Sequence, residues 1–392
     1  MNKSVRFGIV GYGNIGSMHA ENLYQNKIPR ATLAALCDID PAKRKKASER
    51  FGTLPVFETL DELLSSQTID ALIIATPHPL HADMAIQAMK AGLHVLTEKP
   101  AGIRPSDVKR MNQAAVECGK TFGIMFNQRT NVLFQKAREL VKSGALGNTK
   151  RLTWIITNWY RSQSYYDSGA WRATWQGEGG GVLTNQSPHN LDLATWIFGM
   201  PKKLQAFCQE GQYHDITVED FAMIHAEYEN GATMQFITTT GEYPGTNRLE
   251  IVGEGGKIVL EEGKLKFWKL EQNEKEVRFS AKEGMPKIPF TYTEYTSDSP
   301  ESAHLGIIQN FVSAVLDQAE LLAPGEDGLN QVMLTTAAYL SAWLEKPIPL
   351  PFEDSLYNQL LKEKQEKEKA KQQTQASQED ANALPRWLVN WT

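Results

Sequence analysis

Apolar and amphipathic segments alternate over the first 148 residues of the chain. Short apolar runs rich in β-branched residues predict strands, which are expected at 5–10, 31–37, 69–76, 94–97 and 121–126. Segments with helical spacing separate them, such as residues 80–91 and the segment that begins at Pro105. This order predicts a parallel sheet with right-handed crossovers, and we assign residues 1–148 to one α/β domain.

The pattern changes after Gly144, where apolar and polar residues alternate. Consecutive half-buried strands are expected at 149–159, 203–213, 218–228, 231–241, 247–252, 256–261 and 264–270. Helices are expected at about 185–198, 303–317 and 328–343. The run of strands joined by glycine turns predicts an α+β domain over 149–352, with one large, mostly antiparallel open sheet.

The end of the chain has a different composition. Lys, Glu and Gln dominate from about residue 359, so residues 353–392 are predicted to form a charged tail, as a solvated helix or a disordered segment. Residues 387–391 are apolar enough to dock elsewhere.

Composition narrows the class of protein. The 392 residues carry a net charge of −5 with acids and bases interspersed, which argues against nucleic acid as the main partner. The three cysteines have neither metal-site spacing nor a disulfide framework, and we expect no metal. No apolar run approaches transmembrane length, and the N-terminus lacks a signal-peptide pattern. We therefore expect a cytoplasmic protein that does not bind membranes.

A glycine motif follows the first predicted strand directly. In the pattern Gly-x-Gly-x-x-Gly, Gly11 suits a tight turn, Gly13 lets the backbone approach a pyrophosphate, and Gly16 lets a helix pack closely. The helix that starts at Asn14 and Ile15 would point its N–H groups and positive dipole end at phosphates. The motif predicts a dinucleotide site and hence redox chemistry.

Asp38 ends the second predicted strand, 22 residues after Gly16. A carboxylate at this spacing accepts a hydrogen bond from an adenosine ribose and repels a 2′-phosphate, which favours NAD over NADP. The basic residues 43–45 follow closely and would weaken that preference. The alternative interpretation, that Asp38 caps the next helix, is less favourable because Asp40 precedes Pro41.

Lys99 lies at the end of the strand predicted at 94–97. The carboxyl end of a parallel sheet is where ligands bind, so Lys99 is a candidate for chemistry. The alternative is an ordinary surface lysine in a loop. Pro100 is a candidate for a cis peptide bond.

A polar trio marks the helix predicted at about 185–198. Asn185, His189 and Asp192 are spaced i, i+4 and i+7 and would share one face of a largely apolar helix. They form either a core hydrogen-bond cluster or a binding site. The three glycines 179–181 ahead of them permit close approach of a ligand or of another domain.

Aromatic residues are concentrated in residues 154–175. Such rings suit the C–H faces of a pyranose, but core packing or a subunit interface would use them equally well. Tyr160 and Arg172 are the candidates in this stretch for contacts with a substrate.

Together these motifs resemble those of the Gfo/Idh/MocA oxidoreductases, the family of glucose–fructose oxidoreductase and inositol dehydrogenase. The likeness spans roughly residues 4–350 and rests on residues 11–16, 75–81, 98–100, 180–192 and 325–328. It implies a Rossmann domain and a second domain whose open sheet commonly joins subunits, here as a dimer or tetramer. It also implies oxidation or reduction of a sugar or polyol carbon, with Lys99 and His189 in the active site.

The resemblance extends to the cofactor contacts. Those expected beyond the glycine motif and Asp38 are Thr76, Pro77, His78, His81, Glu98, Lys99 and Asn127. Two positions depart from the family pattern, which often has Asp at 185 and Asn at 78. An Asp would raise the pKa of a neighbouring His, whereas Asn185 can only hydrogen-bond a hydroxyl or orient the ring.

These residues define a functional hypothesis. NAD would accept a hydride from a secondary alcohol of a sugar, a glycoside (C-3 of a glucoside) or inositol while His189 takes the hydroxyl proton. The Lys99 ammonium would hydrogen-bond the same oxygen, and Lys99 is the alternative base. Two other functions remain open: a redox-neutral enzyme that retains its dinucleotide, and a non-catalytic dinucleotide sensor, which the presence of Lys99 and His189 disfavours.

Overall fold

The computed structural model describes residues 3–169, 171–297 and 302–368. These residues divide into two compact units. The first contains the chain up to residue 130 together with 302–332, and the second contains the described parts of 131–301 and 333–392. Within the described residues, no helix combines the length and the apolar character needed to cross a bilayer.

The first unit is built on a six-stranded parallel sheet. Its strands are β1 (Val5–Val10), β2 (Ala31–Cys37), β3 (Val56–Phe57), β4 (Ala71–Ile74), β5 (His94–Thr97) and β6 (Phe122–Ile124). They are ordered β3-β2-β1-β4-β5-β6, and all neighbours are parallel, which confirms the predicted Rossmann sheet. Because the order reverses between β1 and β4, their carboxyl ends border the crevice in which such sheets bind ligands.

Helices connect these strands and begin where the sequence signals place them. They are α1 (Asn14–Tyr24), α2 (Pro41–Phe51), α3 (Leu60–Ser65), α4 (His81–Lys90) and α5 (Pro105–Cys118), with single 3₁₀ turns at His78–Leu80 and Asn127–Thr130. Asp40 caps α2 by accepting from Ala42 N at 2.8 Å, and Thr59 and Glu62 form the predicted capping box of α3. The Lys99–Pro100 peptide bond is cis, as predicted.

The second unit contains a nine-stranded sheet. Its strands are β7 (Thr149–Ile156), β8 (Lys203–Glu210), β9 (Glu219–Glu227), β10 (Thr233–Thr239), β11 (Asn247–Gly253), β12 (Gly256–Glu261), β13 (Lys264–Leu270), β14 (Phe290–Thr296) and β15 (Ile348–Pro349). The order is β14-β13-β12-β11-β7-β10-β9-β8-β15, and only the β7–β10 pair is parallel. Buried and exposed positions alternate along β9, so one face packs on the core of this unit. The predicted mostly antiparallel sheet is confirmed.

Eight further helices follow β6 in the described chain. They are α6 (Val132–Lys142), α7 (Gln163–Asp167), α8 (Val182–Asn185), α9 (Pro188–Phe198), α10 (Glu274–Ser280), α11 (Ala303–Asp317), α12 (Gly325–Leu344) and α13 (Asp354–Lys367). α11 belongs to the first unit, where Phe311 packs against Phe7 of β1 with ring centroids 6.2 Å apart. This contact explains why the first unit includes a segment from late in the chain.

The single helix predicted at about 185–198 is wrong at its start. α8 ends at Asn185 and α9 begins at Pro188, with Gln186 and Ser187 outside both helices. Proline lacks the N–H that an uninterrupted helix needs, and its ring clashes with the carbonyl four residues earlier. Pro188 therefore takes the first position of a new helix.

The charged tail is a helix over part of its length. The polar residues of α13 are partly or fully exposed, but Tyr357 and Leu361 are fully buried. Of the two predicted alternatives, the helix is therefore correct for residues 354–367, although one side of it is buried rather than solvated. Residues 369–392, with the apolar 387–391, lie outside the described chain. The domain limits at 148 and 352 stay predictions, because a compact unit need not coincide with a domain that folds alone.

Candidate active site

The glycine motif forms a tight turn between β1 and α1. Gly11 has a φ of +94°, which favours glycine, and a side chain on Gly16 would clash with the Gly11 carbonyl. At Gly13 the space that a side chain would fill is open. No side chain caps α1, so its first N–H groups, including those of Asn14 and Ile15, are available to a phosphate. The turn therefore fits a dinucleotide.

Asp38 is tied directly to this turn. Its carboxylate accepts from Tyr12 N at 2.7 Å and from Asp40 N at 2.9 Å, and the side chain is almost completely buried. Lys43 Nζ is 3.9 Å from Asp38 Oδ2, whereas Arg44 donates to the Asp38 and Ile39 carbonyls. The carboxylate is held at the end of β2, where an acid that recognises the ribose is expected.

We expect Asp38→Ser to change cofactor preference. Loss of the carboxylate should lower kcat/KM for NAD⁺ roughly 10- to 100-fold, as for loss of charged hydrogen bonds. It should also raise the NADP⁺ value, because Lys43 then faces a 2′-phosphate without a competing acid. Steady-state kinetics with both cofactors measure the ratio. The matched control is Asp40→Ser, which keeps a good helix cap; an unchanged NAD⁺/NADP⁺ ratio in Asp38→Ser would contradict the assignment.

His81 has a positioning role in the loops that follow β4 and β5. Its ring nitrogens lie 3.0 Å from the Pro100 carbonyl and 2.9 Å from the Thr76 carbonyl, and the ring is fully buried. Burial lowers the pKa of His81, against the two carbonyl contacts, which raise it. The ring therefore lies between the loops that follow β4 and β5, and its one N–H in the neutral form can donate to either carbonyl. The cofactor contact expected from His81 stays a prediction. The cofactor contacts expected from Thr76, Pro77 and His78 at the same edge stay predictions.

Glu98 is buried in the loop that carries Lys99. Its Oε1 lies 2.7 Å from His19 Nε2 of α1, and its Oε2 accepts from Lys99 N at 3.3 Å. Burial raises the pKa of Glu98, but the His19 hydrogen bond and the charges of His19, His304 and Lys99 outweigh it and lower the pKa overall. Burial also lowers the pKa of His304, to about 4. Glu98 therefore connects α1 to the loop that carries Lys99.

Buried polar groups lie at the carboxyl ends of β5 and β6. Thr97 Oγ1, Asn127 Oδ1 and both amide atoms of Gln128 have no hydrogen-bond partner among the described residues. Such atoms are normally satisfied in native proteins, so their position at the ligand-binding edge fits a bound nicotinamide and its ribose. Arg129, in contrast, donates to Asp327 at 2.6 Å and to the Leu322 carbonyl, a structural role.

A second group of polar side chains surrounds Tyr165 in the second unit. The Tyr165 hydroxyl accepts from Arg172 Nη1 at 3.2 Å, Asn185 Nδ2 at 3.4 Å and Gln186 Nε2 at 3.3 Å. The buried Glu178 carboxylate accepts from Asn185 Nδ2 and from Ala173 N, and it lies 3.7 Å from Arg172 Nη1. The structure thus brings together two predicted substrate residues, Asn185 and Arg172, around an acid that sequence reasoning missed.

His189 and Asp192 both lie in the first turns of α9 and are buried. The glycine segment before them is anchored by Glu219 of β9, which accepts from Gly181 N and Leu183 N at 2.9 Å each and from the Tyr339 hydroxyl at 2.8 Å. A side chain on Gly180 would clash with Tyr339, and one on Gly181 with the Glu219 carbonyl. The glycines are thus required for this close approach.

The aromatic stretch serves the core more than a surface site. Trp154, Trp159 and Trp175 are buried, and Trp154 packs between Phe134 and Phe236. Tyr160 is half exposed and its ring lies against that of Tyr243. Its role as a substrate residue stays a prediction.

Two of the missed residues have a weak signal in the sequence. Glu178 is an acid immediately before three glycines, where a charge beside a flexible turn suggests a fixed partner. Glu219 is an acid at the first position of a strand in which buried and exposed residues otherwise alternate. Its hydrogen-bond partners lie far away in sequence, so the sequence does not identify them. Within residues 3–169, 171–297 and 302–368, no three His, Cys, Asp or Glu side chains are grouped to hold a metal ion.

Two family models match the chain. One, described as an oxidoreductase family with an NAD-binding Rossmann fold, matches residues 5–126, and the other, described as the GFO/IDH/MocA C-terminal domain, matches residues 134–259. Together they span well over half of the sequence. The glycine turn, Asp38 and Thr97 fall within the first match, whereas Asn127 and Gln128 lie just beyond its end.

Individual proteins resemble the chain along most of its length. An inositol 2-dehydrogenase of Rhizobium meliloti is 24% identical over 88% of this chain and 99% of its own. The WlbA dehydrogenase of Bordetella pertussis, solved with NADH and UDP-GlcNAcA, is 29% identical with a TM-score of 0.75, over 90% of this chain and all of its own. A levoglucosan dehydrogenase solved with NADH shares the fold at 20% identity and a TM-score of 0.75, over 90% of this chain and 100% of its own.

Proposed function

Because the chain belongs to the GFO/IDH/MocA oxidoreductase family, we propose that it oxidises one secondary hydroxyl of a cyclic polyol, sugar or glycoside to a ketone, with NAD⁺ as the hydride acceptor. A relative named inositol 2-dehydrogenase and similar structures solved with UDP-GlcNAcA or with levoglucosan support this substrate class. C-3 of a glucoside is the finer assignment that we propose within it.

The network around Tyr165 is the observation that carries the proposal. A polyhydroxylated ligand needs rigid groups that both donate and accept, and this network supplies a phenol, an amide, a guanidinium and a carboxylate. The guanidinium of Arg172 also lies over the Tyr165 ring, 4.7 Å from its centroid. These contacts restrict the side chains before substrate arrives, which lowers the entropic cost of binding.

Lys99 and His189 are proposed to perform the proton chemistry. When bound, NAD⁺ supplies the acceptor for the hydride. His189 takes the hydroxyl proton at an imidazole nitrogen, and the Lys99 ammonium donates to the same oxygen as negative charge develops on it. Asn185 carries no charge that could stabilise an imidazolium on His189, so its proposed role is to hydrogen-bond a substrate hydroxyl. Its amide is held by the Glu178 carboxylate.

A substrate panel tests the proposal. Purified protein would be incubated with NAD⁺ and with inositols, free hexoses, glucosides and uronic acids, and NADH would be followed at 340 nm. Turnover with at least one cyclic secondary alcohol, identified by mass loss of two hydrogens, is the expected result. If reduced cofactor forms but stays bound, the redox-neutral alternative is correct. If no panel member reduces NAD⁺ although NAD⁺ binds, the sensor alternative is favoured.

We also propose that copies of the chain assemble through the nine-stranded sheet. Its partly exposed face carries ion pairs between strands, such as Arg248 with Glu261 and Arg151 with Glu250. Light scattering after size-exclusion chromatography measures the assembly, and a monomer at micromolar concentration would contradict it.

A further inference from the structure

The last described helix, α13, packs against the rest of the second unit through one narrow face. Tyr357 and Leu361, four residues apart, are fully buried, and the Tyr357 ring stacks on Trp343 with centroids 5.7 Å apart and planes 5° from parallel. Gln365 and Glu368 continue the same stripe at i+8 and i+11 from Tyr357. The side chains on this face are therefore apolar near the start of the helix and polar, with hydrogen bonds to the rest of the unit, near its end.

Glu368, the C-cap residue of α13, is the last polar residue on this face. It accepts from Trp175 N at 2.6 Å, from Gln176 N at 3.0 Å and from Thr217 Oγ1 at 2.6 Å. Gln365 Nε2 donates to the Trp175 carbonyl at 3.0 Å, so α13 and its C-cap residue Glu368 together hold both main-chain polar groups of Trp175. Three donors converge on one carboxylate, the arrangement that gives strong, charge-assisted hydrogen bonds.

The segment held in this way carries the predicted substrate residues. Residues 171–178 form no helix or strand, so their conformation depends on contacts with other parts of the unit. Trp175 stands in the middle, anchored by its ring and by Trp175 Nε1, which donates to the Thr217 carbonyl at 2.9 Å. Arg172 lies on one side of it and Glu178 on the other, and both belong to the network around Tyr165.

We propose that Glu368 is a positioning residue, which fixes residues 171–178 from α13 and thereby sets how well Arg172 and Glu178 bind substrate. The effect on substrate rests on the proposed function, whereas the effect on the segment does not. Glu368 touches main chain rather than a predicted site side chain. Its loss should therefore loosen the segment and raise KM while leaving kcat nearly unchanged.

Hydrogen exchange on the full-length protein tests the first half of this proposal. In Glu368→Ala, the amides of Trp175 and Gln176 should exchange about tenfold faster or more, because they lose a charged acceptor. Glu368→Gln should fall between Ala and the unchanged protein, because it keeps one acceptor oxygen. The matched control is Glu366→Ala, on the solvent side of the same helix, with a side chain 65% exposed. Equal exchange in Glu368→Ala and Glu366→Ala would overturn the proposal, provided that circular dichroism gives both variants the same helix content.

Kinetics test the second half. With a substrate from the panel, Glu368→Ala should raise KM about tenfold with kcat within about twofold, and Glu366→Ala should change neither. Faster exchange together with an unchanged KM would remove Glu368 from substrate binding. A chain that has no activity on the panel still gives the exchange result, so failure of the proposed function is distinguishable from failure of this one.

Discussion

Replacing His189 with alanine is expected to lower kcat about 10³-fold, and replacing Lys99 with methionine should have an effect of similar size. A positioned general base contributes about 10²- to 10⁴-fold, and loss of a donor to a developing oxyanion costs about 10²- to 10³-fold. His189 lies in the first turn of α9 and is 4% exposed, so its truncation to alanine removes the imidazole and leaves the exposed surface of the protein almost unchanged. Methionine keeps an unbranched side chain, one atom shorter than that of Lys99, and removes the charge and the N–H donors.

The measurement is steady-state turnover across pH, together with NADH binding by fluorescence. His189→Ala should bind NADH within a few-fold of the unchanged protein, because the glycine turn and Asp38 are untouched. Lys99→Met also removes an expected cofactor contact, so its kcat is compared at saturating NAD⁺. The controls are His225→Ala and Lys120→Met, both outside the residues assigned to the site. Turnover of His189→Ala within tenfold of the unchanged protein would remove it as the base. The same result for Lys99→Met would remove the ammonium from the reaction.

The cofactor unit could be predicted from the sequence because its signals are local. The tight turn needs glycine at Gly11 and Gly16, and the caps of α2 and α3 depend on residues within one turn of the helix start. Asp38 lies at the end of a strand whose neighbour in the sheet follows from the order of strands and helices. The physical constraints therefore act between residues that are close in sequence.

The substrate unit depends on contacts that no local pattern contains. Asn185 meets Glu178 because the glycines between them let the chain fold back on itself. The buried stripe on α13 gives a weak signal because it contains just two buried apolar residues, Tyr357 and Leu361, and the average composition of the segment is that of a solvated helix. The break before α9 differs, since Pro188 is visible in the sequence and a proline kinks or ends a helix that reaches it.

Glu219 is expected to make the stability of the protein fall as the pH rises toward neutrality. Burial raises the pKa of Glu219 from 4.5 to about 7, against its hydrogen bonds from Leu183 N, Tyr339 and Gly181 N, which lower it. The folded protein therefore binds this proton more tightly than the unfolded chain, in which the carboxyl titrates near its ordinary value. Its contribution to folding is most favourable below about pH 4.5, and it is lost as the pH rises to about 7.

The loss amounts to about 2–3 kcal/mol between about pH 5 and pH 8, from a shift of roughly 2.5 pKa units at about 1.4 kcal/mol each. Urea unfolding over this range measures it. Glu219→Gln has no titrating group at this position, so between pH 5 and pH 8 its free energy of unfolding should fall by about 2–3 kcal/mol less than that of the unchanged protein. The amide accepts from fewer of the three donors, which lowers the stability of the variant at every pH. Glu227→Gln, at the exposed end of the same strand, is the control, because its carboxylate is 39% exposed and pairs with Lys203 at the surface. If Glu219→Gln and the unchanged protein lose stability in parallel from pH 5 to pH 8, Glu219 is ionised throughout. The anchor of the glycine segment before His189 would then be insensitive to pH.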